Sequence, residues 1–320
     1  QYGKDVHMAI GSGRFRYETE EGWGKFPEGY DFPDASGVTV DSKDNVYVLN
    51  RGPHPVIVLD KSGNFVRSWG EGEFDNRAHG IFASPDDFIW TVNDSQHCIK
   101  KYTPEGKLVL TIGREGEAAE KWSGHPFNRP TNMGVSPNTG DVYVTDGYGN
   151  SRVHRYTAEG KHIVSWGAPG IAPGEFQIPH NVIIDEHENV YVTDRDNYRL
   201  QVFDNMGNLK TIWQNIYEPQ AMCMDKEGFI YVGEQRMTND LRDCPTVGHR
   251  INVFNRQGER QERIGDPMLG DGPDQFIAPH GMGVDSQGNL YVGEVSYTVW
   301  GRSLTPPQTF RCFRKLRKIS

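Results

Sequence analysis

The stretch His280-Gly281-Met282-Gly283-Val284-Asp285 is one of six copies of a short, mostly apolar segment that ends in aspartate or serine. A turn and a second apolar run follow each copy. The copies are residues 36–41, 79–84, 131–136, 180–185, 220–225 and 280–285, and the second runs are residues 46–48, 89–91, 142–144, 190–192, 230–232 and 290–292. Long-period repeats of short strands are typical of a β-propeller.

Further strand signals follow within the repeats. A third apolar run, such as residues 153–156 or 200–203, leads to a turn that contains glycine, such as Gly160 or Gly207. This alternation of runs and turns indicates four antiparallel strands in each repeat. The sequence therefore predicts an all-β, six-bladed β-propeller that uses residues 1–320 as a single domain.

Both ends of the chain have a predicted place in this ring. Residues 15–24 end in Gly22-Trp23-Gly24 and resemble the last strands of the blades at residues 65–70 and 162–167. We therefore expect the N-terminal strand to complete the last blade and to remove two open sheet edges. Residues 1–13 are predicted to be a loose arm, and residues 303–320 a solvated basic tail.

Histidine begins every second copy of the first segment. If six blades surround one axis, His79, His180 and His280 lie about 120° apart and converge on the channel. Three imidazoles in that arrangement suit a transition-metal ion with one position left open. A single histidine at such a place is more often an ordinary hydrogen-bonded residue, so the regular alternation carries the prediction.

Composition excludes several classes of partner and location. Net charge is −9, with 34 basic and 43 acidic residues, which disfavours a nucleic-acid partner. No run reaches the roughly 18 apolar residues of a membrane span, so we expect a soluble protein. The cysteines lie far apart, and we expect reduced thiols and a cytoplasmic protein, or a secreted one if a leader preceded Gln1.

Three residues stand outside the shared repeat pattern, on turns at one rim. They are Tyr148 and Arg195, which follow the second strands of blades three and four, and Arg51, which holds that place in blade one. Arginine suits bidentate capture of a carboxylate, although a surface ion pair is an equal alternative for each arginine. A small-molecule substrate with a carboxylate or amide group is the partner that this set favours.

With these residues, the chain resembles the NHL-repeat propellers and, among them, the peptidyl-α-hydroxyglycine α-amidating lyases. The matching segments include Asn50-Arg51-Gly52, Asp146-Gly147-Tyr148-Gly149-Asn150-Ser151-Arg152 and Pro179-His180-Asn181. The resemblance implies that His79, His180 and His280 bind a catalytic zinc, that Tyr148 is the base, and that Arg51 and Arg195 line the substrate site. It also implies cleavage of a carbinolamide C–N bond to an amide and glyoxylate.

The chain departs from that family at two places near the site. The family's calcium-binding aspartate after the third histidine is Gly281 here, so we expect calcium to be absent or weakly held. The residue two before the same histidine is Ala278, where the family has methionine. These changes leave room for other chemistry.

The sequence thus favours a zinc-dependent lyase that cleaves a C–N or C–heteroatom bond. Two alternatives stay open. One is a hydrolase or hydratase on the same scaffold, with zinc-bound hydroxide as nucleophile. The other is a non-catalytic NHL module that recognises a partner.

Overall fold

The computed structural model describes residues 9–235 and 247–319, and these form six antiparallel sheets that are the six blades. Two strands precede blade one, β1 (Ala9–Ile10) and β2 (Tyr17–Thr19). Blades one to three contain β3 (Ala35–Val40), β4 (Val46–Asn50), β5 (Val56–Leu59), β6 (Phe65–Trp69), β7 (Ala78–Ala83), β8 (Ile89–Asn93), β9 (Cys98–Tyr102), β10 (Leu108–Gly113), β11 (Asn132–Val135), β12 (Val142–Asp146), β13 (Arg152–Tyr156) and β14 (His162–Trp166). Blades four to six contain β15 (Pro179–Ile184), β16 (Val190–Asp194), β17 (Arg199–Phe203), β18 (Leu209–Trp213), β19 (Pro219–Met224), β20 (Ile230–Glu234), β21 (Ile251–Phe254), β22 (Arg260–Ile264), β23 (Pro279–Val284), β24 (Leu290–Glu294) and β25 (Phe313–Lys318).

The first strand of each blade lies nearest the axis. These strands, β3, β7, β11, β15, β19 and β23, contact one another in a closed ring. The prediction of a six-bladed propeller with four-stranded antiparallel blades is confirmed, and blade six gains a short fifth strand, β1.

A recurrent tyrosine and aspartate explain why the repeat folds into this unit. In blade four, Tyr191 on the second strand is buried, and its hydroxyl donates to Asp185 at 3.0 Å. The other oxygen of Asp185 accepts the backbone N–H groups of His187 and Asn189, so one carboxylate shapes the turn and satisfies a buried hydroxyl. The same pairs recur as Tyr47 with Asp41, Tyr231 with Asp225 and Tyr291 with Asp285.

Both chain ends build blade six, in the strand order β23, β24, β25, β2, β1. The predicted closure by the N-terminal strand is confirmed. Phe15 and Tyr17 are buried, and the Tyr17 hydroxyl lies 3.0 Å from that of Tyr231 in blade five. The N-terminal segment therefore joins the edge of blade six and packs on its neighbour.

The expectation of a solvated tail at residues 303–320 is wrong for Phe313–Lys318, which form the third strand of blade six. Arg314 pairs with Glu294 at 3.0 Å, and Lys315 pairs with Glu20 at 2.9 Å. The basic charges of this strand are thus balanced by acids that lie far away in the sequence. A local reading of the sequence does not reveal such pairs. The loose arm predicted for residues 1–13 is also too long, because β1 pairs with β2, and residues 1–8 lie outside the described chain.

Replacing Tyr17 by alanine should lower the free energy of unfolding by about 3–5 kcal/mol, the usual cost of removing a buried aromatic ring. The Tyr17 ring, which the closing strand carries, is fully buried against blade five. Urea denaturation measures the change, and Arg16→Ala, at an exposed position of the same segment, is the matched control. Equal stability of the two variants would contradict a structural role for the closing strand.

The inner strands begin on the face where the second strands end, as the pairing of Ala78 with Asn93 shows. Two helices of one turn follow second strands on this face, α1 (Gly147–Asn150) and α2 (Ser296–Val299). Short 3-10 helices cover Gly13–Phe15, Asp94–Gln96, Arg195–Asn197 and Gly301–Ser303.

Two long connections separate repeat segments in the sequence, residues 115–129 and 236–248. Residues 115–129 pack on α1, where the Trp122 N–H donates to the Gly149 carbonyl at 2.8 Å. The connection in blade five, residues 236–248, lies outside the described residues except for 247–248.

Candidate metal centre

Each of the three predicted histidines is the extra residue of a β-bulge at the start of an inner strand. In blade two, Ala78 pairs with Asn93 and Gly80 with Val92, so His79 has no partner across the ladder. The same register shift leaves out His180 and His280. Bulges re-aim a side chain, and here they turn three imidazoles toward the axis.

The structure brings the three imidazoles together. Their ring centroids lie 4.6 to 4.9 Å apart, and one ligand atom from each lies within 4.8 Å of the others. All three are buried. The predicted convergence of alternate blades is therefore confirmed, and the histidines form a candidate metal site.

The non-histidine copies of the repeat segment hold the histidines in place. His79 Nδ1 donates to the Thr131 carbonyl at 2.5 Å, and His180 Nδ1 donates to the Gln220 carbonyl at 2.8 Å. His280 Nδ1 donates to the carbonyl of Ser36 at 2.6 Å. Each acceptor starts the equivalent segment of the next blade. Because a carbonyl only accepts, the proton is on Nδ1, and Nε2 keeps its lone pair for a ligand.

Electrostatics keep the rings in the neutral form that binds metals. Burial, with a further contribution from Arg51, lowers the pKa of His280 to about 3. Burial and the neighbouring imidazoles hold the pKa values of His79 and His180 well below the usual range. Three neutral imidazoles with fixed tautomers fit a transition-metal ion.

Tyr148 reaches the same centre from α1. Its hydroxyl lies 2.8 Å from His79 Nε2 and 3.2 Å from His180 Nε2. Asp146, just before the helix, fixes the turn by accepting the N–H of Asn128 and the side-chain amide of Asn150. The predicted catalytic tyrosine is therefore adjacent to two of the three histidines.

The glycines around Tyr148 allow this approach. A Cβ on Gly147 would lie 2.2 Å from the Pro179 carbonyl oxygen, and one on Gly149 would lie 2.1 Å from Asn128 Oδ1. Real Cβ atoms do not come so close. Gly147 is therefore required for α1 to pack against blade four, and Gly149 for α1 to pack against Asn128.

Both predicted arginines lie at this mouth of the channel. Arg51 Nη1 lies 2.9 Å from Thr298 Oγ1 and 3.3 Å from Asp34 Oδ2. Arg195 Nε donates to Asp196 at 2.8 Å, and its guanidinium lies 5.7 Å from the centre of the Tyr148 ring. Burial lowers the pKa of Arg195, but the charges of Tyr148 and Asp196 outweigh it and raise the value. Each of the two arginines thus forms an ion pair and lies beside the histidines.

Sequence reasoning missed three residues of this mouth. The guanidinium carbons of Arg77 and Arg129 lie 6.0 and 4.9 Å from the centre of the Tyr148 ring. Asp94, which is fully buried, binds both arginines. Arg77 stands two residues before His79, and Arg129 holds the same position before Thr131 in blade three. This position is Ile178 in blade four and Ala278 in blade six, so the histidine pattern did not mark it.

Gly281 lies where inner strands of blades six and one approach most closely. A Cβ there would lie 2.4 Å from Gly37 Cα and 2.6 Å from the Val38 nitrogen. An aspartate at this position does not fit without movement of blade one. A calcium site that depends on that carboxylate does not fit these residues, since a hard cation needs several oxygen ligands.

Gly281→Ala should therefore lower the free energy of unfolding by about 1–3 kcal/mol, the usual cost of overpacking. Gly283→Ala is the matched control, because its Cβ would meet the Val40 methyl at 3.0 Å and the Thr39 backbone at 3.3 Å, both looser than the 2.4 Å contact of Gly281. Denaturant titrations of both variants measure the difference. A Gly281→Ala protein as stable as the control would refute the tight contact of the two blades.

The NHL repeat family model matches residues 127–156. The chain is 32% identical over 250 residues to NHL repeat-containing protein 3 of Homo sapiens, and the match covers 72% of this chain and 71% of that protein. It is 27% identical over 311 residues to peptidyl-alpha-hydroxyglycine alpha-amidating lyase 1 of Drosophila melanogaster, and the match covers 87% of this chain and 55% of that protein. It is 26% identical to the peptidylglycine alpha-amidating monooxygenase of Rattus norvegicus over 95% of this chain and 34% of that protein.

The chain thus spans about a third of the rat monooxygenase and about half of the fly lyase. Among residues 9–235 and 247–319, no helix is long and apolar enough to cross a membrane. The resemblance seen in the sequence is confirmed by these relatives and by the six sheets. The extent of the match to the human protein shows that the chain belongs to the NHL-repeat family of β-propellers.

Proposed function

We propose that this propeller is a zinc-dependent lyase of the α-amidating type, which cleaves the C–N bond of a small carbinolamide that carries a carboxylate. The observation that carries the proposal is the position of Tyr148, whose hydroxyl lies within hydrogen-bond distance of Nε2 in two of three converging histidines. Relatives named as amidating lyases support the same reaction class.

His79, His180 and His280 would hold the metal through Nε2. A bound zinc ion would supply Lewis-acid polarisation of the substrate oxygen. The chain contributes the rest of the arrangement, since the carbonyls of Ser36, Thr131 and Gln220 fix the orientation of the three rings.

Tyr148, acting as its phenolate, would take the proton of the substrate hydroxyl and become a neutral hydroxyl. The electron pair of the O–H bond then forms the second bond of a new carbonyl, the C–N bond breaks, and its electron pair passes to the nitrogen. Returning the same proton to that nitrogen gives an amide and an α-oxo acid, so no external acid or base is consumed. A base must lie within hydrogen-bond reach of the proton that it removes, and the hydroxyl of Tyr148 is already at the centre.

Arg51 and Arg195 would hold the substrate carboxylate. Among the described residues, no hydrogen-bond partner occupies Arg195 Nη1 or Nη2, or Arg51 Nη2. Open guanidinium groups beside the histidines suit an anion bound next to the reacting carbon. Their partners Asp34 and Asp196 keep the side chains in place.

The test is turnover of an N-acyl-α-hydroxyglycine by the zinc-loaded protein, with glyoxylate and the amide measured as equal products. Removal of zinc with a chelator should stop turnover, and added zinc should restore it. Release of glyoxylate at the uncatalysed rate by fully loaded protein would refute the lyase.

A second candidate is recognition without catalysis. It is favoured by the identity to NHL repeat-containing protein 3, which is higher than the identity to the fly lyase. Under this alternative the protein retains a metal but turns over no α-hydroxyamide, so metal analysis and the glyoxylate assay together separate the two.

A further inference from the structure

Four arginines surround the mouth of the metal centre, and their exposure rises from the inside outward. The side chains of Arg51 and Arg195 are 7% and 15% exposed, whereas those of Arg77 and Arg129 are 35% and 43% exposed. The two inner arginines are assigned above to the carboxylate beside the reacting carbon. The two outer arginines have no role in that reaction.

The outer arginines have fewer ion-paired acids than the inner arginines, although Asp75 also lies near Arg77 and accepts its backbone N–H at 2.8 Å. Arg51 faces Asp34 and Arg195 faces Asp196, one acid for each arginine. Arg77 and Arg129 share Asp94 alone. Among the described residues, no other acid forms an ion pair with Arg77 or Arg129.

Arg129 also has unused donors. Only its Nε contacts Asp94, at 3.3 Å, and within the described parts of the chain Nη1 and Nη2 have no hydrogen-bond partner. In Arg77, by contrast, both Nε and Nη2 donate to the carboxylate of Asp94. Arg129 therefore presents the planar pair of N–H groups that binds a carboxylate with two parallel hydrogen bonds.

The backbone holds Arg129 in a fixed place. Its N–H donates to His97 Nδ1 at 3.0 Å, and its carbonyl accepts the N–H of Tyr148 at 3.3 Å. Its φ of 56° lies in the left-handed region, which an arginine adopts only where its surroundings hold it. The backbone of Arg129 is thus hydrogen-bonded directly to Tyr148, the residue that carries the proposed base.

We propose that Arg129, supported by Arg77 and Asp94, binds a second acidic group on the acyl side of the substrate. This inference rests on the proposed function and names its substrate class, an N-acyl-α-hydroxyglycine whose acyl group ends in a carboxylate. The inner arginines hold the carboxylate that becomes part of the α-oxo acid. The outer arginines hold the group that stays with the amide product.

Binding of two unreactive analogues tests the subsite without turnover. N-succinylglycine carries the second carboxylate, and N-succinamoylglycine replaces it with an uncharged amide of the same shape. Calorimetry with zinc-loaded protein should show about tenfold tighter binding of the carboxylate analogue, the scale of a partly exposed charge-assisted pair. Equal affinity for the two analogues would overturn the proposal.

Arg129→Gln should abolish this preference, and Arg129→Lys, which keeps the charge without the paired N–H groups, should retain part of it. Arg114→Gln is the matched control, because the Arg114 side chain is 82% exposed and its ion pair among the described residues is with Glu117, so this variant should keep the full preference. Circular dichroism confirms that each variant is folded. A full preference in Arg129→Gln would assign the recognition to other residues and overturn the proposal.

The outcome is separate from that of the proposed function. Both analogues lack the hydroxyl group, so neither is a substrate. A charge preference without glyoxylate production would refute the lyase and keep the subsite. Turnover without a charge preference would do the reverse.

Discussion

His180→Ala should lose bound zinc, with affinity falling at least about 100-fold, while the propeller stays folded. One of three ligands is removed, and altering even an outer-shell partner of a metal ligand costs 10–100-fold in affinity. Blade four keeps its strands, because the histidine is the bulged residue and contributes no ladder pairing. Elemental analysis after dialysis measures zinc per chain, and circular dichroism measures the fold.

His187→Ala is the matched control, because His187 lies in the same blade with its side chain 65% exposed. It should retain one zinc per chain and full activity. The glyoxylate assay should show no turnover above background in His180→Ala. One zinc per chain in a variant with all three of His79, His180 and His280 replaced would exclude the site.

Tyr148→Phe should lower kcat by roughly 100-fold or more, the usual scale for a lost general base. The hydroxyl is the only group removed, and it lies 2.8 Å from His79 Nε2. Zinc content should not change, because the three imidazoles remain. Steady-state kinetics with an N-acyl-α-hydroxyglycine, compared at equal zinc occupancy, measures the effect.

Tyr143→Phe is a suitable control, because it removes a buried hydroxyl that has no hydrogen-bond partner among the described residues. This variant should keep the wild-type kcat and lose no stability.

The kinetics of Tyr148→Phe, compared with those of Tyr143→Phe, also separate the lyase from a hydrolase. With hydroxide as the nucleophile, a tyrosine would mainly orient the substrate, and its loss would raise KM with little change in kcat. Labelled water gives a second readout, provided that the α-oxo acid is trapped before it exchanges oxygen. An intact kcat in Tyr148→Phe, together with label in a non-exchanging product oxygen, would reject the lyase.

The fold and the histidine set were predictable because both follow from a repeat. An apolar run and a turn recur six times, and a ring of equivalent units converts the alternation of His79, His180 and His280 into convergence. The backbone acceptors were not predictable. Every residue has a backbone carbonyl, so the residue type does not show which carbonyl accepts a hydrogen bond. In the sequence, Ser36, Thr131 and Gln220 are simply the positions of the repeat that lack histidine.

The missed arginines show a different limit of the sequence. Arg77 and Arg129 both stand two residues before the first segments of their blades, two and three, but the other blades have no arginine at this position. Only the fold shows that the two side chains share Asp94. The basic end of the chain was misjudged for a related reason. Arg314 and Lys315 look like solvated charges until the acids of distant strands are placed beside them. Long-range charge pairing carries no local pattern.

Because each histidine bonds to the blade that follows it, the three contacts cross the boundaries between blades two and three, four and five, and six and one. The last of these joins blade one to blade six, the blade that both chain ends build. A metal that binds only the assembled ring would stabilise it by RT ln(1 + [metal]/Kd), about 2.7 kcal/mol when the free metal is at 100 times Kd. Metal affinity and closure of the ring would then be thermodynamically linked, and loosening the N-terminal strand would weaken metal binding at a centre that the strand does not touch.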